Sequence, residues 1–349
     1  MSRRDDTRLV GDPAGPLDDR RVLIAPDSFK GTFTAERAAL ALARGVAAAG
    51  LPAQTFPLAD GGEGTTDALH RARGGEIRRA AVHDPLGVPL EATFLLLPGG
   101  STAVLDSAAA SGLPLVEVER RDPLAASTAG TGELIVAALR AGASHVYVAA
   151  GGSATSDGGR GAIETIESAG GLHGATLTVL CDVQTPFELA ATVFAPQKGA
   201  SPEQVVLLSA RLQELAARLP RDPRGIPMTG CAGGLSGGLW AVFGAQLVTG
   251  TDFVFEAVGL DAALAQARAV VSGEGRLDAQ SLDGKLIGAL ARLCASHDVE
   301  LHVVTGQNSL DDRLARLVGI TSVREARTEP ELVEVGRQLA LALAADAAR

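Results

Sequence analysis

The sequence predicts an α/β protein of two domains: a mostly parallel sheet domain formed by both chain ends, and a second α/β domain inserted between them. Three observations predict it. Residues 21–74 alternate apolar strand, polar loop and helix, the rhythm of parallel α/β folds. From about residue 75 that rhythm gives way to short strands separated by turns. It returns between Leu260 and Val304 as strand, helix and strand, so these last elements are expected to rejoin the first ones. At 349 residues the chain is long enough for two cores. The expected division is a discontinuous Rossmann-like domain over 21–74 and 268–349, with 75–267 inserted.

Taken in order, residues 1–20 are charged and punctuated by Pro and Gly, the composition of a disordered tail. Arg21 to Ala25 is the first strand. The polar loop Pro26 to Thr34 opens a helix over 35–49, with Thr34 as its N-cap. A short strand over Gln54 to Leu58 meets a second polar loop, Ala59 to Thr65, and another helix start. Strands follow over 77–82, 91–97, 101–105, 146–150 and 177–180, with helices over 132–141 and 204–218. Strands Ala269 to Ser272 and Leu301 to Thr305 belong in one sheet with the first strand and the strand near Phe56.

Composition excludes several classes. Hydrophobic residues make up 46% of the chain but aromatics only 3%, so the cores are Leu, Val, Ile and Ala. A net charge of −10 argues against nucleic acid or an anionic membrane as partner. Cys181, Cys231 and Cys294 lie far apart without a C-x-x-C pair, which argues against a disulfide framework or a zinc site. No apolar run reaches the roughly 18 residues of a membrane span, and Arg3 to Asp6 leads into no signal-peptide core, so a soluble cytoplasmic protein is expected. The six histidines show no metal-ligand spacing and read as structural.

The chemistry is carried by lysines and glycine-rich loops. The chain has three lysines, and each adjoins a glycine: Lys30-Gly31, Lys198-Gly199 and Gly284-Lys285. The other 28 basic residues are arginine. Lysine offers a compact point charge where backbone approaches closely, which suits phosphate. Five polar loops stand out: Pro26 to Thr32, Asp60 to Thr65, Gly151 to Gly159, Cys231 to Leu235 and Ser272 to Asp278. Several follow a strand and precede a helix, a placement that aims backbone N–H groups at an anion. Carboxylates beside those glycines imply Mg²⁺ bridging to a nucleotide. The P-loop, the dinucleotide fingerprint and the protein-kinase signatures are all absent.

These loops, in this order, resemble the bacterial type I glycerate kinase family. The matching segments are Ile24 to Thr32, Ala59 to Thr65, Thr128 to Ile135, Gly151 to Thr155, Pro196 to Ala200, and Ser272 to Ser281 with Gly284-Lys285. The resemblance runs from about residue 21 to the C-terminus. It implies ATP-dependent phosphorylation of glycerate, with the 2-hydroxyl favoured, in a cleft between two α/β domains. The chain departs from the family pattern in a short stretch from Gly159 to Thr178, in Gln184 to Phe187, and in Ser156 where Asn is usual. A kinase of another small hydroxy acid, or a non-catalytic nucleotide- or metabolite-sensing homologue, are the alternatives.

The residues expected to act follow from these loops. Asp27, directly after the first strand, is the favoured proton acceptor and Asp60 its rival. Lys30, Lys198 and Lys285 are expected to converge on phosphate or the substrate carboxylate. Substrate or nucleotide is expected to meet Ser28, Gly61, Gly62, Glu63, Thr131, Gly152, Ser153, Thr155, Gly233, Gly234 and Arg276. Mg²⁺ is assigned to Glu274 and Asp278, with Asp157 in reserve. The small-molecule substrate would be glycerate, and the protein a monomer or homodimer.

Overall fold

The computed structural model describes residues 20–29, 31–282 and 285–346. The tail expected over 1–20 lies outside them apart from Arg20, as does Lys30. Eleven strands form among the described residues: β1 Arg21–Ile24, β2 Ala53–Thr55, β3 Glu76–His83, β4 Pro89–Leu96, β5 Thr102–Asp106, β6 His145–Ala150, β7 Thr176–Cys181, β8 Gln246–Thr249, β9 Ala267–Leu277, β10 Leu301–Asn308 and β11 Ile320–Glu325. They make two sheets, ordered β11-β10-β9-β1-β2 and β3-β4-β5-β6-β7-β8. The first is parallel throughout and joins strands from both chain ends. In the second, β3, β4 and β5 pair antiparallel and β5 to β8 run parallel. The fold is therefore mixed α/β with two mostly parallel sheets.

Strand β1 is an unbroken apolar run, Val22-Leu23-Ile24, buried because helices cover both sheet faces. One face packs helices Ala35–Ala48 and Glu329–Asp346 through Leu42, Val46, Leu332 and Leu339. The other face carries helices Thr65–Arg73, Gly250–Val258, Leu260–Leu264 and Leu286–Ser296, and its core continues into Leu95 and Val104 of the second sheet. Helices Ala129–Arg140, Arg160–Ser168 and Cys231–Phe243 cover the far side of the second sheet. Thr34 caps the first helix as expected, its Oγ1 accepting from Arg37 N at 3.2 Å.

Two expected loops are regular structure. Ser272 to Leu277 continues β9, paired with β10 as far as Leu277 beside Asn308. The ladder satisfies the backbone of this glycine-rich run, and Gly273 leaves room for the Phe29 ring, 3.0 Å from where a Cβ would sit. Cys231 to Leu235 begins a helix, but through a left-handed turn at Ala232, Gly233 and Gly234.

Candidate active site

A cleft of about 1220 Å³ opens between the sheets, at the carboxyl ends of β1, β2, β5, β6 and β7. Open α/β sheets place ligands at this end, because the chain leaves each strand there in a loop free to vary. After β1, Asp27 N–H donates to Gly273 O at 2.8 Å, which pins the loop to β9. Ser28 N–H donates to Asp27 Oδ1 at 2.6 Å, fixing the carboxylate at the cleft wall.

The opposite wall follows β6 and β7. Lys198 sits in the 3₁₀ turn Pro196–Lys198, closed by Gly199 in the left-handed conformation at φ 96°. Its side chain is only 4% exposed, yet it lines the cleft. Nζ donates to Ser153 Oγ at 3.1 Å and to Thr155 O at 2.5 Å. Burial pulls the ammonium down to about 8, against the upward pull of Asp157 and Asp182. A lysine that remains cationic at neutral pH while shedding its hydration suits binding of a small anion.

Of the expected residues, Asp27, Ser28, Glu63, Gly152, Ser153, Lys198, Gly233 and Lys285 line the cleft. Thr155 supplies the carbonyl that holds Lys198. Lys30 lies outside the described residues. The other described ones do not line it. Asp60 Oδ1 accepts from Gly62 N at 3.1 Å. Gly61 and Gly62 form a seam between the sheets: a Cβ on Gly61 would lie 2.3 Å from Gly250 Cα, and one on Gly62 3.2 Å from Gly151 Cα. Thr131 is fully buried against Ser111, Oγ to Oγ 2.7 Å. Gly234 packs under Phe187.

The expected metal ligands do not line the cleft. Asp157 accepts from Thr128 N and Oγ1, Gly161 N and Gly159 N, all within 3.1 Å, as a cap between two helix starts. Glu274 is on β9, and Asp278 Oδ2 lies 3.4 Å from the largely exposed Arg276 Nε. Among the described residues, no three His, Cys, Asp or Glu side chains assemble into a metal centre.

Among the lining carboxylates missed by the sequence reading are Asp106 and Asp182. Each stands at the carboxyl end of an apolar strand, Ala103-Val104-Leu105 and Val179-Leu180-Cys181, the same signal that singled out Asp27. Asp182 and Glu63 flank the Gly151-Gly152 backbone. A Cβ on Gly151 would lie 3.2 Å from Asp182 Oδ2, and one on Gly152 3.5 Å from Glu63 Oε2. Mg²⁺ at nucleotide sites commonly takes one or two carboxylates and completes its shell with phosphate and water, so this donor set fits it. Asp106 is pushed up to about 6 by burial, opposed by bonds from Thr66 and Gly64 and reinforced by Asp67.

Fold and cleft together define a two-sheet α/β protein with a buried lysine and several carboxylates lining the space between its sheets. The comparisons with known proteins specify which. A model of the glycerate kinase family matches residues 22–169 and 162–348. The chain is 37% identical to a glycerate kinase of Bacillus subtilis (strain 168), over 87% of this chain and 89% of that protein. It is 34% identical to glycerate 2-kinase of Escherichia coli (strain K12), over the same shares. The crystal structure named "putative glycerate kinase 2" from Salmonella typhimurium LT2 superposes with a TM-score of 0.77 at 31% identity, covering 95% of this chain and all of that one. The chain belongs to the glycerate kinase family, and the protein is a kinase.

Proposed function

We propose that this protein transfers the γ-phosphoryl group of ATP to the 2-hydroxyl of D-glycerate, with Mg²⁺ as the bridging cation. The observation that carries this reading is the pairing of Asp27 with the buried Lys198 in one cleft. The names of the relatives support the substrate, and the Escherichia coli relative supports the 2-position. Asp27 would take the hydroxyl proton as the oxygen attacks phosphorus. Asp60 is the weaker candidate, since Asp27 lines the cleft and Asp60 does not. Lys198 would neutralise charge on the transferring group or the glycerate carboxylate, with Lys285 and Lys30 as further cations. Asp182, with Glu63 beside it, would hold Mg²⁺, which supplies charge neutralisation on the phosphates.

We read the two sheets as two domains, 21–74 with 268–349 and 75–267, acting in the cytoplasm as a monomer or homodimer. Among the described residues no helix is long and apolar enough to cross a membrane. Asp27→Asn keeps the side-chain shape and removes the proton acceptor. It should lower kcat at least about 100-fold while the KM for ATP stays within about threefold. A kcat within about threefold of the parent would move the role to another carboxylate.

A further inference from the structure

Helix Thr65–Arg73 begins at Gly64, which is left-handed at φ 92° and has no side chain with which to cap it. Its cap comes from the other sheet. Asp106, the last residue of β5, accepts from Gly64 N at 2.8 Å through Oδ2, and from Thr66 N at 3.0 Å and Thr66 Oγ1 at 2.8 Å through Oδ1. A carboxylate that takes three donors at a helix start satisfies orphan N–H groups and opposes the positive end of the helix dipole. The residue before that start is Glu63, whose Oε2 lies 3.5 Å from where a Cβ on Gly152 of the far wall would sit. The helix itself is wedged between the sheets, with Leu69 packed among Leu23, Leu95 and Val104.

We propose that Asp106 is a positioning residue, a latch from the second sheet that caps the helix at Thr65 and so holds Glu63 in place for the reaction. This rests on the kinase reading above for its effect on turnover, though not for its effect on the helix. The latch needs an ionised carboxylate, because a protonated oxygen no longer accepts from both donor sets. The charged group that bears on it is Asp67 of the same helix; Arg71, paired with Glu36, and Glu63 share the cleft lining, and β6 sets the apolar Ala149 beside it. Burial and Asp67 place its titration at about 6, so the latch is closed at neutral pH and releases on mild acidification.

The test pairs hydrogen–deuterium exchange with kinetics. In the wild-type chain the amides of residues 64–68, corrected for intrinsic pH dependence, should exchange at least about tenfold faster at pH 5 than at pH 8. Asp106→Asn should show fast exchange at both. Its kcat/KM for glycerate should fall about tenfold at pH 8, with the acidic limb near pH 6 lost. Thr66→Ala, a milder change in case Asp106→Asn folds poorly, should reproduce about a third of the effect, and Thr66→Ser should restore it. Exchange that is independent of pH and of Asp106→Asn would overturn the latch. Exchange that responds as described in a chain without glycerate-dependent turnover would leave the latch standing and overturn the kinase reading instead.

Discussion

Lys198 shows what one side chain in this protein has to reconcile. It is buried, bonded to Ser153 and Thr155, and drawn down to about 8 by desolvation. If the ammonium is the working form, activity should fall as pH rises through about 8, where the proton leaves. The stability consequence has the opposite sign. A lysine lowered on folding is held charged at a cost below its folded value, and that cost is relieved between about 8 and the ordinary 10.5, so stability rises across that window. Lys198→Arg stays charged throughout. It should lose the alkaline limb and about 2–4 kcal/mol of transition-state stabilisation, tens- to several-hundred-fold in kcat/KM, since a guanidinium fork cannot copy the point contact with Ser153. A wild-type profile flat to pH 10 would remove the lysine from the chemistry.

Glycine beside lysine or carboxylate was read as close backbone approach; beside carboxylate that signal was ambiguous, and beside lysine it did not appear, since a Cβ on Gly31 would meet nothing within 4 Å and one on Gly199 only Arg121 at 3.7 Å. After β6, Gly152 opens the cleft to Lys198 and Glu63. After β2, Gly61 and Gly62 meet Gly250 and Gly151, backbone against backbone. A sequence announces that a Cβ would be in the way without saying whether a ligand or another strand's loop is the neighbour. The same ambiguity hid the extension of β9, because Gly273-Glu274-Gly275 reads as a turn until β10 is there to pair with it. Strands β1, β3 to β7 and the starts of β9 and β10 were legible from their apolar runs and turns, as was Thr34 as a cap; β2 ends at Thr55, short of the expected Leu58, and β8 and β11 went unread. Asp106 and Asp182 were not legible: they share the strand-end position of Asp27 but lie outside the glycine-rich loops, and only the sheet order brings them to the cleft. Gly61→Ala should cost roughly 2–4 kcal/mol in denaturant unfolding, from the clash with Gly250 together with a φ of 94°. A loss below about 0.5 kcal/mol would mean that the seam is not tightly packed.

At the scale of the molecule, the two sheets enclose a cleft richer in acid than in base. Asp27, Glu36, Glu63, Asp67, Asp106 and Asp182 line it against Arg71, Lys198 and Lys285 among the described residues, and Arg71 is paired with Glu36. A nucleotide carrying about four negative charges meets a repulsive field there unless a divalent cation travels with it. Calorimetric titration with ATP should therefore show affinity at least about tenfold weaker in EDTA than in excess Mg²⁺. Asp182→Asn should raise the Mg²⁺ needed for half-maximal binding by a similar factor. Equal affinity with and without the cation would contradict the charge argument. The proposed phosphorylation of glycerate in this cleft has a more direct test. Purified protein should be incubated with ATP, Mg²⁺ and D-glycerate, with ADP followed by a coupled assay and the product identified by NMR. Glycerate-dependent ADP release and a phosphorus–proton coupling at the C2 methine of the product are expected. ADP release that is indifferent to glycerate, or a product coupled at the C3 methylene, would contradict the proposal.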